Sequence, residues 1–378
     1  MFIGFDAKRA FKNNTGLGNY SRMIINAVAD ARPDDEIVLF TPYSKGRYSH
    51  FWGDRANVSV VTPTGLWRLF PGLWRTFGIA RHLRRCGIPA AQSIYHGLSH
   101  ELPFGNIGDT KLVVSMHDLI VWRYPKHFPF IDRLIYKVKQ RYACRKADVI
   151  VAISKQTEAD LVSLMGVDKE KIRVVYQSCD AIFREPVTDE QRRFVRERYR
   201  LPERYALCVG TIEKRKNQLA VVEAMADVDD DLHLVVIGKK TSYYETVAEA
   251  VRRLGLEQRV HFLQNVDFAD FPALYSEAVL SVYMSIFEGF GIPVLESLTC
   301  GTPVIASNRS SIPEVGGDAA LYANPVNPSE IANQIRKLLT DKDLYSTMSL
   351  RAKTQSALFT PDNIVSDLLS LYNVPTMT

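Results

Sequence analysis

The sequence is poor in cysteine, with 5 among 378 residues, at positions 86, 144, 179, 208 and 300, and none in a Cys-x-x-Cys pair. An odd, scattered set argues against a disulfide framework and against a cysteine-based zinc site, and it suits a reducing compartment. Long apolar runs are missing as well. No stretch approaches the ~18 uninterrupted apolar residues of a spanning helix, and Met1-Phe2-Ile3-Gly4-Phe5-Asp6 has neither a cationic start nor a small-residue cleavage site. The expectation is a cytoplasmic protein, neither exported nor integral.

What is present is an ordinary globular composition, 46% hydrophobic and 24% charged, in a chain longer than one core usually serves. Two domains are expected. The net charge of +5 hides an asymmetry: residues 1–180 carry 26 Lys and Arg against 16 Asp and Glu, so the excess of cations lies in the first half. Nucleic acid, an anionic membrane surface or a phosphorylated acceptor would each satisfy that excess, and charge alone does not choose between them.

Short β-branched runs alternate with longer amphipathic stretches, which reads as repeated βαβ units around buried parallel sheets. Seven strands are expected in the first half, from Phe2–Phe5 to Ile172–Val175, and five in the second, from Tyr205–Val209 to Pro303–Ala306. The boundary is set near Pro186, giving domains 1–185 and 186–360, with the last helix, from Pro361, a candidate to cross back to the first domain. In doubly wound sheets ligands bind beyond the carboxyl ends of the strands, so chemistry is sought just after each one.

Gly16 and Gly18 follow the first strand and precede a helix expected over Ser21–Ala31, either as an anion-binding loop or as a plain turn. The third glycine of a dinucleotide fingerprint is missing, which argues against an NAD site. His117 and Asp118 directly follow the strand Lys111–Met116. Here the choice is between a functional imidazole and one merely held by Asp118 or by backbone. Ser154 reads as a helix N-cap.

Lys214-Arg215-Lys216 follow Tyr205–Val209 and supply the fixed positive charge that a departing diphosphate needs. Phe287-Glu288-Gly289-Phe290-Gly291-Ile292-Pro293 then leads to Glu296. Glycines offer backbone N–H groups to a phosphate, Pro293 opens a helix with Glu296 at its start, and the two carboxylates suit sugar and ribose hydroxyls. Ser310 and Ser311 either reach a phosphate or serve the loop. Asp229-Asp230-Asp231 matches the Asp-x-Asp pattern of metal-dependent enzymes but precedes its strand, so no metal is expected. Residues 65–85 join Trp67, Phe70, Trp74 and Phe77 to five arginines without one carboxylate. They would lie in an anionic lipid interface or pack their aromatics inside the domain.

Taken together, Phe287 to Glu296, Gly210 to Asn217 and Cys300-Gly301-Thr302-Pro303-Val304 resemble family 4 of the retaining glycosyltransferases, and the resemblance runs from Gly16 to Glu314. It implies a GT-B fold: two Rossmann-like, doubly wound α/β domains facing a central cleft. It also implies a nucleoside-diphosphate sugar as co-substrate, with no cofactor and no metal. By the same resemblance Lys216 and Arg215 would neutralise the donor diphosphate, Glu288 would hold donor sugar hydroxyls, and Glu296 the ribose. His117 would sit near the sugar, Gly16 and Gly18 would border the diphosphate and the acceptor side, and Asn265 and Val266 would lie near the base. Gly289, Phe290, Gly291 and Ile292 complete the donor set. The wording of the cationic motif points to mannose from GDP-mannose, with UDP sugars as the alternative donors, moved to a saccharide or a polyprenyl-diphosphate-linked acceptor on the inner face of the membrane, without nucleic acid. A non-catalytic nucleotide-sugar-binding scaffold and a GT-B epimerase are the alternatives.

Overall fold

The structure is a computed structural model. It describes all residues except 14, 44–47, 49–51, 53–54, 87–91 and 374–378, and of Cys86 and His127 it describes the backbone only. The chain divides into two compact units, Met1–Ser178 with Thr360–Thr378, and Cys179–Phe359. The division thus falls ahead of Pro186.

The first unit holds a seven-stranded sheet of β1 (Phe2–Asp6), β2 (Glu36–Phe40), β3 (Val58–Val61), β4 (Ser93–Gly97), β5 (Lys111–Met116), β6 (Val149–Ala152) and β7 (Ile172–Val174), in the order β3-β2-β1-β4-β5-β6-β7. Every pairing is parallel. Runs such as Leu112-Val113-Val114 are buried throughout, as strands covered on both faces must be. The helices used below are α1 (Gly16–Ala31) and α2 (Phe130–Lys146).

The second unit repeats the plan with β8 (Tyr205–Val209), β9 (His233–Ile237), β10 (Val260–Leu263), β11 (Leu280–Tyr283), β12 (Val304–Ser307) and β13 (Ala320–Ala323), in the order β10-β9-β8-β11-β12-β13, again all parallel. In each sheet the chain winds outward from its first strand and then crosses to the other side. The switch points therefore lie between β1 and β4 and between β8 and β11, where such sheets take their ligands. These are two Rossmann-like domains of the expected α/β class. β13 was not among the expected strands. It is a short edge strand rich in alanine, without the β-branched run that marks the others.

The last helix, α3 (Pro361–Tyr372), belongs to the first unit. Its Tyr372 hydroxyl meets His96 Nδ1 at 2.8 Å, and Lys111 Nζ donates to the Leu371 carbonyl at 2.8 Å. Residues 374–378 lie outside the described part. Among the described residues no helix is long and apolar enough to cross a membrane.

The 65–85 stretch is helical but broken, with a 3₁₀ turn at Gly65–Leu69, a turn from Pro71, a wide turn at Trp74–Gly78 and an α-helix at Ile79–Cys86. It divides its aromatics between inside and outside: Trp74 is in the core and Trp67 packs against it, while Phe70 and Phe77 face out. Arg75 is not solvated. It is buried against Asp6 at the end of β1 (2.5 Å) and against Glu101 (2.5 Å).

Candidate functional site

β8 and β11 are the central neighbours of the second sheet, and the loops that leave their carboxyl ends are stitched together. Ile286 donates its backbone N–H to the Arg215 carbonyl at 2.8 Å. Gly210 leaves β8 with φ 147°, a conformation in which glycine meets no Cβ penalty. A Cβ on Gly238, at the end of β9, would lie 1.9 Å from the Gly210 carbonyl oxygen, so the two strand ends need glycine to approach. Gly238 was not foreseen, although a glycine at a strand end is the signal for it.

Of the three adjacent cations, Lys214 is exposed while Arg215 and Lys216 turn inward. Arg215 Nη1 donates to Glu288 Oε1 (2.8 Å) and to the Phe287 carbonyl (2.8 Å), and Nη2 donates to Glu213 (2.6 Å). Lys216 Nζ reaches the same Glu288 Oε1 at 2.7 Å and donates to the Tyr283 hydroxyl at 2.6 Å. Ser285 donates to Glu288 Oε1 at 2.5 Å. Burial alone would raise the Glu288 pKa, but the charges of Lys216 and then Arg215, with the hydrogen bonds of Lys216 and Ser285, outweigh it and bring it to about 2. Glu288 is therefore a fixed anion that holds two cations in place.

Glu296 differs. It lies in the second turn of the helix Ile292–Thr299 rather than at its start, is buried, and accepts one hydrogen bond, from the Tyr275 hydroxyl at 2.9 Å. Desolvation dominates there and lifts its pKa to about 7.

The glycine loop between the two acids is held by the serine loop after β12. Ser310 accepts the Glu288 N–H (3.0 Å), and Ser311 lies 3.0 and 2.7 Å from the carbonyls of Glu288 and Phe290. The serines thus shape the loop. Phe290 is buried against Phe359, Gly291 takes φ 126° at the helix N-cap, and Ile292 opens the helix ahead of Pro293. Asn265, at φ 54°, and Val266 follow β10 at the same edge of the sheet. Asp230 and Asp231 precede β9 and pair with Arg259 and Arg204.

In the first unit the glycines sit inside α1, not in a loop before it. A Cβ on Gly18 would lie 1.9 Å from the Asn13 carbonyl oxygen, so Gly18 serves the chain's own packing, whereas one on Gly16 would meet nothing within 4 Å. His117 is buried. Its Nε2 lies 2.8 Å from the Leu98 carbonyl, which can only accept, so the proton is on Nε2. Its ring packs edge-on to Tyr20, and burial followed by His100 depresses its pKa to about 3. A backbone carbonyl thus holds the ring at Nε2, and Asp118 accepts from the N–H of Ile120. Ser154 caps the helix Lys155–Met165 through the N–H of Thr157.

The family model described as Glycosyltransferase Family 4 matches residues 15–181, and that described as Glycosyl transferases group 1 matches residues 189–355. The chain is 28% identical to an O-antigen chain mannosyltransferase B of Escherichia coli, covering 95% of this chain and 96% of that one. It is 26% identical to the O-antigen chain mannosyltransferase RfbU of Salmonella typhimurium, covering 87% and 89%. The fold is similar to that of Anabaena Alr3699/HepE, solved in complex with UDP and glucose, with a TM-score of 0.74 at 20% identity over 98% of this chain and 99% of that one.

Proposed function

The chain belongs to glycosyltransferase family 4, with the GT-B fold, and on that premise we propose that it transfers mannose from GDP-mannose with retention of anomeric configuration and without a metal ion. That it is a hexosyl-transferring glycosyltransferase follows from the family and from relatives that are mannosyltransferases over nearly the whole chain. The proposed acceptor is a saccharide, free or carried on a polyprenyl diphosphate. The O-antigen relatives support the saccharide, and the cation excess of the first unit supports the phosphate.

One observation carries the reading of the site: Arg215 and Lys216 converge on Glu288 at the carboxyl ends of β8 and β11. In this reading Lys216 keeps one N–H for a diphosphate oxygen after serving Glu288 and Tyr283, and Arg215 lies beside it. The acceptor oxygen forms its bond to the anomeric carbon on the face from which the diphosphate departs. The electron pair of the breaking C–O bond goes to the phosphate, which takes the acceptor proton, and the two cations stabilise that growing charge. Glu288 contributes Oε2 to sugar hydroxyls, Glu296 receives the ribose, and the loop from Gly289 to Ile292 receives phosphate. Asn265 and Val266 are the candidates for the base. On the first unit, Gly16 and His117 Nδ1 are the candidates for phosphate and hydroxyl contacts.

Incubation with a panel of GDP- and UDP-sugars, with and without chelator, tests this. Transfer from GDP-mannose that survives chelation and gives the retained anomer by NMR is expected. An inverted anomer, or turnover that chelation abolishes, contradicts it.

A further inference from the structure

β11 is buried from end to end, yet its two faces differ in kind. Leu280, Val282 and, just beyond the strand, Met284 alternate into an apolar cluster of the second unit. Ser281 and Tyr283 point the other way, as the two-residue period of a strand requires. That face is buried but polar: the Ser281 hydroxyl lies 2.6 Å from that of Ser297 on the helix Ile292–Thr299. Tyr283 is 3% exposed at the last position of the strand. A phenol placed there needs partners for its hydroxyl, whereas an aliphatic side chain would fill the same place without that demand.

The partners are two groups at the centre of the candidate site. Lys216 Nζ donates to the Tyr283 hydroxyl at 2.6 Å, and that hydroxyl is in turn hydrogen-bonded to Glu288. A hydroxyl accepts and donates at once, so it takes a hydrogen from the ammonium and gives its own to the carboxylate. Burial first, then the Glu288 charge, holds the phenol well above its ordinary pKa, which keeps that proton in place. With Lys216 Nζ 2.7 Å from Glu288 Oε1, the three groups close a ring.

The stem of Lys216 is laid down as well. A Cβ on Gly210 would come within 3.7 to 3.9 Å of its Cδ, Cε and Cγ, so the methylenes run past the glycine that follows β8. The ammonium has three N–H groups. Glu288 fixes the direction of one and Tyr283 that of another, and the third is fixed with them. A single anchor would leave the ammonium free to turn about the Cε–Nζ bond. Glu288 supplies charge compensation, while Tyr283, being neutral, adds direction. We propose that Tyr283 is a positioning residue of the transfer reaction, acting through Lys216: its hydroxyl aims the remaining Lys216 N–H at the donor diphosphate. The inference rests on the reading of Lys216 as a diphosphate ligand. A charge oriented before the bond breaks needs no reorganisation at the moment of reaction.

The test is calorimetric titration of GDP, UDP and their parent nucleosides into the wild type, Tyr283→Phe, Lys216→Ala and the double variant, with melting temperatures to establish that each is folded. In Tyr283→Phe the Kd of the preferred nucleoside diphosphate is expected to rise about fivefold or more, while that of its nucleoside stays within about twofold. Added to Lys216→Ala, the same change is expected to cost less than about twofold more, because no ammonium is left to aim. Tyr205→Phe is the control. Tyr205 is a buried phenol on β8 whose hydroxyl donates to the Leu274 carbonyl at 2.7 Å, and its loss should leave the Kd within about twofold. Equal losses for diphosphate and nucleoside, or a full further loss on top of Lys216→Ala, would make Tyr283 a packing residue and overturn the proposal. So would an unchanged Kd in Tyr283→Phe when Lys216→Ala weakens binding. If neither variant weakens it, the reading of Lys216 fails and the inference with it. Should Tyr283→Phe not fold, Tyr283→Leu takes its place in the cycle.

Discussion

Lys216 Nζ lies 2.7 Å from Glu288 Oε1, and Arg215 Nη1 donates to the same oxygen at 2.8 Å. One carboxylate, from the loop after β11, thus anchors both cations of the loop after β8. Removing either cation leaves buried Glu288 with one cation, and removing Glu288 leaves two adjacent, half-buried cations of which Arg215 keeps Glu213, which is the costlier loss. Glu288→Gln is therefore expected to lower the melting temperature more than Lys216→Gln does, as thermal denaturation of the two variants would reveal. Equal melting temperatures would mean that the acid does not organise the pair.

Glu296 is expected to titrate near pH 7. Its folded pKa is raised above the ordinary value of 4.5, so its contribution is fully present below that value and is lost as pH rises through about 7. The wild type should lose about 3 kcal/mol relative to Glu296→Gln between these limits. Ribose hydroxyls favour the carboxylate, so nucleotide binding just below pH 7 should release a proton. Calorimetry in buffers of different ionisation enthalpy measures that release, and none would be seen if Glu296 were remote from the ligand.

The two glycines of α1 should separate. Gly18→Ala puts a methyl group into the Asn13 carbonyl and is expected to cost about 2 kcal/mol or more of stability. Gly16→Ala meets open space and should leave the melting temperature unchanged or slightly raised. Equal effects of the two substitutions in urea denaturation would contradict the packing described.

His117 is expected to be neutral at physiological pH, with its proton on Nε2. Nitrogen NMR of the imidazole reads the tautomer directly. A pH–rate inflection near about 6.5 that disappears in His117→Gln would contradict the depressed pKa.

Most of the architecture is legible in the sequence because both sheets are buried on both faces, and β-branched runs such as Val149-Ile150-Val151 announce such strands without tertiary help. β13 escapes because Ala320-Leu321-Tyr322-Ala323 has no such run. The helix start at Gly16 escapes because glycines read as loop and Thr15 makes no side-chain cap. Buried Arg75 is illegible for a different reason: its partners Asp6 and Glu101 come from distant parts of the sequence, so nothing local distinguishes it from the solvated arginines beside it. The outer stripe of α2 is misleading, since Ile131, Ile135 and Val138 recur at helical spacing like a core face and are exposed instead. In the candidate site, the residue types and their strand-end positions are legible, but the use of Ser310 and Ser311 to hold the loop depends on the proximity of β12 to β11.

The central claim is that the inward pair of cations, not basic charge in general, receives the donor diphosphate. Calorimetric titration of GDP and of UDP into the wild type, Lys216→Ala and Lys214→Ala tests it most directly. The Kd for the preferred nucleotide should rise at least about tenfold in folded Lys216→Ala and stay within about twofold in Lys214→Ala. Unchanged affinity in Lys216→Ala, or equal losses in both variants, would contradict it.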